Sequence, residues 1–148
     1  MNQPVLGIIG GGQLGSMLSE AAKKIDIKTV VLSDDPDAPA KIFANKFIYG
    51  NYDDSKIITE FVDSVDLVTY EFENIPIEIL KSIDKEKKVL PKPDINQKVQ
   101  NRKLEKTFVN DLGIQTTEWV FIKWALDVKN NEKLLPGILK TNTLGYDG

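Results

Sequence analysis

The sequence predicts an α/β protein in which a parallel β-sheet is covered on both faces by helices. Short apolar runs with the length of buried strands alternate with helical stretches through the first ninety residues. The first strand, at residues 5–9, runs directly into a glycine-rich turn at residues 10–15, and a helix follows at once. Such alternation joins parallel strands through crossover helices, so we expect the sheet to be buried on both sides.

Each predicted element rests on a local pattern. Five short apolar runs bounded by turn residues are predicted to be strands: 5–9, 28–32, 46–49, 66–70 and 88–90. Four segments between them are predicted to be helices, the third capped by Ser55: 14–25, 39–44, 55–64 and 77–83. The first helix carries one apolar stripe, which we expect to face the sheet: Leu14, Met17, Leu18, Ala21, Ala22 and Ile25.

Two prolines, Pro91 and Pro93, interrupt this pattern and predict a boundary between domains at residues 1–93 and 94–148. Asp94 is predicted to cap one long helix over residues 95–112, which Gly113 ends. The segments 117–122 and 137–140 are predicted to be strands of a second unit. No helix follows the last glycine-flanked turn, so we expect this unit to be cut short and to expose apolar surface.

Composition excludes several classes of function. The formal net charge is −3, which gives no basic field for nucleic acid or an anionic membrane. The chain has no cysteine and no histidine, which excludes disulfides, thiolate nucleophiles, the usual zinc sites and Ser-His-Asp triads. No secretory signal or membrane-spanning apolar run is present, and we expect a cytoplasmic protein. Any chemistry must use lysine, arginine, carboxylates, backbone amides or a bound metal.

The glycine turn fits a dinucleotide-binding pattern. Gly10, Gly12 and Gly15 match G-x-G-x-x-G, and Asp34 and Asp35 lie about twenty residues further on. Backbone N–H groups at the start of the helix would offer a site for an anion. The glycines would equally serve close packing of strand and helix with no ligand, and both interpretations stay open on the residues alone.

Two further groups of residues can carry chemistry. Glu71 and Glu73 follow a predicted strand and would point the same way if the strand continued. This pair could hold an amine or a ribose hydroxyl, or lie in solvent. Lys140 ends the predicted strand 137–140, and a glycine-bounded loop at residues 145–148 follows it. That lysine could fix a phosphate as a point charge, or extend along the sheet edge into water.

Four motifs occur in one order: residues 10–15, 37–40, 70–76 (Tyr-Glu-Phe-Glu-Asn-Ile-Pro) and 138–148, which ends in Gly-Tyr-Asp-Gly. With these motifs the sequence resembles the N5-carboxyaminoimidazole ribonucleotide synthases, ATP-grasp ligases of purine biosynthesis. The resemblance covers essentially the whole chain but only the first part of a family member. It implies a Rossmann-like pre-ATP-grasp domain followed by the truncated start of an ATP-grasp domain.

The resemblance implies a reaction in which ATP phosphorylates bicarbonate to carboxyphosphate, and the exocyclic amine of aminoimidazole ribonucleotide takes the carboxyl group. Mg²⁺ bridges the phosphates in such enzymes, and homodimers are common among them. The positions that match ATP contacts are Arg102, Lys140, Gly145, Tyr146, Asp147 and Gly148. The positions assigned to the substrate are Gly10, Gly12, Gln13, Leu14, Gly15, Glu71 and Glu73.

The chain departs from the family pattern in three places. Ser16 stands where arginine is common, Asn101 replaces an aspartate, and the usual continuation after Gly148 is absent. We expect the metal ligands in that missing part, and so predict that the isolated chain is inactive. Two alternatives are an NAD(P)-binding domain of an oxidoreductase, supported by the glycine pattern with Asp34, and a non-catalytic remnant that binds a partner or a ribotide.

Overall fold

The computed structural model describes residues 3–144, which form two compact units; the first ends at Asn96 and the second begins at Gln97. The first unit is built on a four-stranded parallel sheet in the order β3-β2-β1-β4. Its strands are β1 (Val5–Ile9), β2 (Lys28–Ser33), β3 (Lys46–Tyr49) and β4 (Leu67–Tyr70). The predicted α/β class and parallel sheet are confirmed. The predicted strand at 88–90 is reduced to a single bridge between Val89 and Val68.

Helices cover both faces of this sheet. They are α1 (Gln13–Lys24), α2 (Ser55–Asp63), α3 (Ile77–Asp84) and a short 3₁₀ helix (Pro39–Ile42). Phe61 of α2 and Leu80 of α3 are fully buried in the larger apolar cluster, whereas Ala40 joins a smaller cluster with Ile8 and Val31. Neighbouring residues of a strand thus enter different clusters, because side chains alternate across a sheet.

The start of α2 differs from the prediction by one residue. Ser55 is the first residue of the helix, and Asp54 caps it by accepting a hydrogen bond from the Lys56 N–H at 2.9 Å. A carboxylate one residue earlier supplies the same kind of acceptor that was expected of the serine hydroxyl.

The predicted orientation of α1 is wrong. Leu14, Met17 and Ile25 of the apolar stripe are between 54% and 69% exposed. The buried residues of the helix are Gly15, Ser19 and Ala22, of which only Ala22 belongs to the predicted stripe. These small residues share one face at helical spacing and let the helix backbone approach the sheet closely, as a stripe of long side chains would not. The Ser19 hydroxyl, which is buried, donates to the Gly15 carbonyl at 2.8 Å and so has a partner.

The long helix predicted over 95–112 is divided into α4 (Pro93–Val99) and α5 (Arg102–Asp111). Asn101 lies at the break with extended backbone, and its side chain accepts from the Leu104 N–H at 3.1 Å to cap α5. Asparagine favours such a cap over a position inside a helix. Gly113 ends this helix at a φ of 75°, as predicted.

The second unit lacks the strands predicted at 117–122 and 137–140; both segments are irregular. A strand needs a partner for its backbone groups, and the described part of this unit pairs neither segment. A helix α6 (Ala125–Lys129) and a 3₁₀ helix (Glu132–Leu134) lie between them. The expected exposed apolar surface is present, since Ile138 and Leu139 are more than 80% exposed.

Within residues 3–144 no helix is both long enough and apolar enough to cross a membrane. The division into domains 1–93 and 94–148 stays a prediction.

Candidate functional site

The glycine turn and the loop after β4 leave the sheet side by side. β1 and β4 are neighbours, with Ile9 paired to Tyr70, so the chain that follows each strand emerges at the same edge. The Glu71 N–H donates to the Ile9 carbonyl at 3.1 Å, which continues the pairing one residue beyond the strands. Ligands of open α/β sheets bind outside this carboxyl edge. The glycine turn and the motif at residues 70–76 therefore lie at the edge of the sheet where a ligand is expected.

The Glu71 carboxylate occupies the N-terminus of α1. Its Oε1 accepts from the Gly12 N–H at 2.8 Å, and its Oε2 accepts from the Gly15 N–H at 3.1 Å. Gly12 is the N-cap residue of α1 and Gly15 is its third helical residue. A capping box satisfies these same two donors with two side chains of the helix itself. Here one carboxylate from the neighbouring strand end accepts both bonds.

Close packing explains why glycine stands at these positions. Gly10 has a φ of 101°, and a Cβ there would collide with the Glu71 Cγ. A Cβ at Gly12 would lie 2.8 Å from the Glu71 Oε1. The turn is therefore shaped around the protein's own carboxylate. The N–H groups that were expected to offer a site for an anion are already hydrogen-bonded at Gly12 and Gly15. The Gln13 and Leu14 N–H groups have no acceptor among residues 3–144.

Glu73 has a different hydrogen-bond partner from Glu71. The strand ends at Tyr70, so the alternation of side chains that would align the two carboxylates is lost. The Asn74 side-chain amide donates to the Glu73 Oε1 at 3.0 Å. The Asn96 side-chain amide, in α4, donates to the Glu73 carbonyl, also at 3.0 Å. These two bonds hold the loop after β4 in a turn.

Sequence reasoning missed Asn96. Its side chain is fully buried, and its Oδ1 has no hydrogen-bond partner in the described part of the chain. Nothing in the polar stretch around it distinguishes this asparagine from its neighbours. Its importance follows only from burial against a loop more than twenty residues away in the chain.

Tyr52 is a second residue that the sequence did not single out. Burial, followed by the negative charge of Asp34, raises the pKa of Tyr52 to about 12. Its ring centroid lies 6.3 Å from that of Phe72 in the loop after β4. The side chain of Asp34, which the dinucleotide pattern assigns to a ribose, therefore faces a phenol of the same chain.

In the second unit, Arg102 holds the segment that follows Lys140. Its backbone N–H donates to the Asn142 carbonyl at 2.8 Å, and its Nε donates to the Thr141 carbonyl at 3.0 Å. The Lys103 N–H donates to the Asn142 side chain at 3.1 Å. The start of α5 thus anchors the chain next to the exposed Lys140.

The other residues assigned to ATP, Gly145, Tyr146, Asp147 and Gly148, lie outside the described residues. Within residues 3–144 there is no group of three or more aspartate, glutamate, histidine or cysteine residues that could hold a metal ion.

The chain is similar in sequence and in fold to known proteins. The chain is 39% identical over 151 residues to the N5-carboxyaminoimidazole ribonucleotide synthase of Brucella melitensis, an alignment that covers 97% of this chain and 40% of that protein. The crystal structure of an N5-carboxyaminoimidazole ribonucleotide synthetase in complex with ADP matches with a TM-score of 0.91 and 34% identity, over 100% of this chain and 40% of the other.

A third match is the Aspergillus clavatus N5-carboxyaminoimidazole synthase in complex with ADP and 5-aminoimidazole ribonucleotide. It has a TM-score of 0.71 and 28% identity, over 79% of this chain and 31% of that one. The chain thus spans at most about 40% of the length of these relatives. Residues 3–100 match the preATP-grasp domain of ribonucleotide synthetases. The chain belongs to the ribonucleotide synthetase preATP-grasp domain family.

Proposed function

We propose that this chain is the ribotide-binding part of an N5-carboxyaminoimidazole ribonucleotide synthase, a carbon–nitrogen ligase of purine biosynthesis. The reaction is the ATP-dependent carboxylation of 5-aminoimidazole ribonucleotide with bicarbonate. In this proposal residues 1–93 are the pre-ATP-grasp domain, and residues 94–148 begin the ATP-grasp domain. Because the chain spans about 40% of its relatives, the whole reaction is assigned to a protein that contains this chain.

The observation that carries the proposal is the meeting of the glycine turn with Glu71 at the carboxyl edge of β1 and β4. A ligand at this edge would meet backbone N–H groups on one side and the loop after β4 on the other. A relative whose structure contains 5-aminoimidazole ribonucleotide supports the ribotide as that ligand. We assign Gly10, Gly12, Gln13, Leu14, Gly15, Glu71 and Glu73 to this crevice.

Nucleotide binding belongs to the second unit in this proposal. Relatives of this fold are complexed with ADP, which supports an adenine nucleotide as the second ligand. Lys140 supplies a point charge for a phosphate, and Arg102 holds the segment beside it. When bound, Mg²⁺ would offset the charge of the phosphates.

The NAD(P) alternative has less support. A dinucleotide of this motif places its pyrophosphate against the amides at the start of the helix. The Glu71 carboxylate already accepts from two of those amides, and Asp34 faces Tyr52. Both contacts would have to break before a dinucleotide could bind in this manner.

Isothermal titration calorimetry of the 148-residue chain tests the proposal. We expect heat of binding with 5-aminoimidazole ribonucleotide and none with NADH. Heat of binding with NADH but not with the ribotide would favour the oxidoreductase interpretation. Heat with neither ligand would refute the assignment of this crevice to the ribotide. The matched enzymatic assay, incorporation of labelled bicarbonate with ATP, is predicted to give no product with this chain by itself.

A further inference from the structure

The N–H donors at the start of α1 fall into two sets. Those of Gly12 and Gly15 donate to the two oxygens of Glu71, at 2.8 and 3.1 Å. Those of Gln13 and Leu14 have no acceptor within residues 3–144. A ligand that binds at the turn therefore finds fewer open N–H donors than the sequence suggests.

The charge at this helix end is already balanced. The N-terminus of a helix carries a partial positive charge, which is the reason that phosphates bind there. The first turn of α1 contains no acidic residue, so Glu71 is the carboxylate that offsets this charge. An external phosphate at the same two amides would have to replace that carboxylate or lie against it, and like charges repel at such a distance.

The fit between Gly12 and Glu71 is mutual. Gly12 has no side chain with which to cap the helix, and Glu71 supplies the missing acceptor. The three heavy atoms nearest to a Cβ built at Gly12, at 2.8 to 3.6 Å, all belong to the Glu71 carboxylate. The space that an N-cap side chain would fill is thus taken by a residue 59 positions along the chain.

We propose that Glu71 is a positioning residue that determines the specificity of the glycine turn. Its carboxylate takes the place of a bound anion at the N-terminus of α1. It fixes the shape of the turn and keeps external phosphate away from the Gly12 and Gly15 amides. The amides of Gln13 and Leu14, which have no acceptor within residues 3–144, remain for a ligand. The capping role stands on the hydrogen bonds alone, whereas its consequence for a ribotide rests on the proposed function.

The test uses the ¹⁵N-labelled 148-residue chain titrated with inorganic phosphate, and follows the amide resonances of Gly12 and Gly15. In the natural sequence we expect these two resonances to stay unchanged at millimolar phosphate. In Glu71→Ala we expect both to shift, with phosphate stabilising the variant. The variant without phosphate should show a rise of about thirtyfold in the unfolding constant, from the loss of two hydrogen bonds to a charged acceptor.

Glu73→Ala is the matched control, because it removes the same charge from the same loop. Its Gly12 and Gly15 resonances should stay unresponsive to phosphate. If Glu71→Ala does not fold, Glu71→Gln retains the shape of the side chain but removes its charge, and phosphate should then shift Gly12 and Gly15.

Two results would overturn the proposal: phosphate that shifts Gly12 and Gly15 in the natural sequence, or variants of Glu71 that respond no more than the control. A failed ribotide titration with the expected phosphate responses would instead refute the proposed function and leave the role of Glu71 intact.

Discussion

Replacing Gly12 with serine should have opposite effects on stability in two backgrounds. Gly12 has a φ of −67° and a ψ of −161°, a conformation that serine adopts without strain. In the natural sequence the new Cβ would lie 2.8 Å from the Glu71 Oε1 and would displace the carboxylate. In Glu71→Ala that obstacle is absent, and the serine hydroxyl can cap the helix.

The magnitudes follow from the bonds involved. Loss of the two hydrogen bonds from Gly12 and Gly15 to a half-buried carboxylate costs about 2 kcal/mol. Serine at the N-cap gains a few tenths of a kcal/mol over glycine, and the restricted unfolded chain adds about 0.5 kcal/mol. We therefore expect Gly12→Ser to destabilise the natural sequence by about 1 kcal/mol and to stabilise Glu71→Ala by nearly the same amount.

Amide hydrogen exchange at Ile8 and Ile9 of β1 is the assay, since both are fully buried in the centre of the first unit. Exchange of these amides reports the unfolding free energy of this unit separately from the second. Gly12→Ala is the control: it has the same steric conflict but no hydroxyl, so it should not stabilise Glu71→Ala as serine does. A change of the same sign in both backgrounds would refute the reasoning.

Three further predictions concern the residues around the turn. Gly10→Ala should destabilise the first unit by about 3 kcal/mol in urea denaturation, because it combines a positive φ with a collision against Glu71; an effect below that of an ordinary surface substitution would contradict this. Asn96→Ala should speed hydrogen exchange in the loop after β4, since the Glu73 carbonyl loses its donor at a cost of about 1 kcal/mol; unchanged exchange there would show that Asn96 does not hold the loop. The pKa of Tyr52 is raised from 10.0 to about 12, so the stability linked to it is complete below pH 10 and is lost as the pH rises towards 12. Tyr52→Phe should flatten the fall in stability across that interval, as measured by circular dichroism, and an equally steep fall would argue against the raised pKa.

Local patterns predicted the four strands of the first unit well, because a buried strand needs only a short apolar run between turn residues. Val5–Ile9 was predicted with the bounds that the structure has. The face of α1 was not predictable in the same way. Its long apolar side chains and its small residues, Gly15, Ser19 and Ala22, both recur at helical spacing, and the pattern does not say which set meets the sheet.

The prediction of strands in the second unit was wrong for a different reason. The segments 117–122 and 137–140 have strand-like composition, but a strand forms only where a partner accepts its backbone hydrogen bonds. The break at Asn101 was also missed, although asparagine is a strong N-cap and its side chain does cap α5. The two segments failed to become strands because, within residues 3–144, they lack pairing partners distant in sequence. The break at Asn101, by contrast, follows from local sequence preference.

In the candidate site, too, some features follow from local sequence and others depend on contacts between residues far apart in the chain. Its location at the carboxyl edge followed from the order of strands and motifs. The contact of Glu71 with Gly12 spans 59 residues, and that of Asn96 with Glu73 spans 23, so neither has a signature in local sequence. The sequence predicted the edge of the sheet where the motifs lie and did not predict these contacts.

A titration of the ¹⁵N-labelled chain with 5-aminoimidazole ribonucleotide tests the central claim most directly. We predict that the Gln13 and Leu14 amide resonances shift with the ribotide, while those of Gly12 and Gly15 keep the chemical shifts set by their bonds to Glu71. If no resonance at the turn responds to the ribotide, the assignment of this crevice to the substrate is wrong.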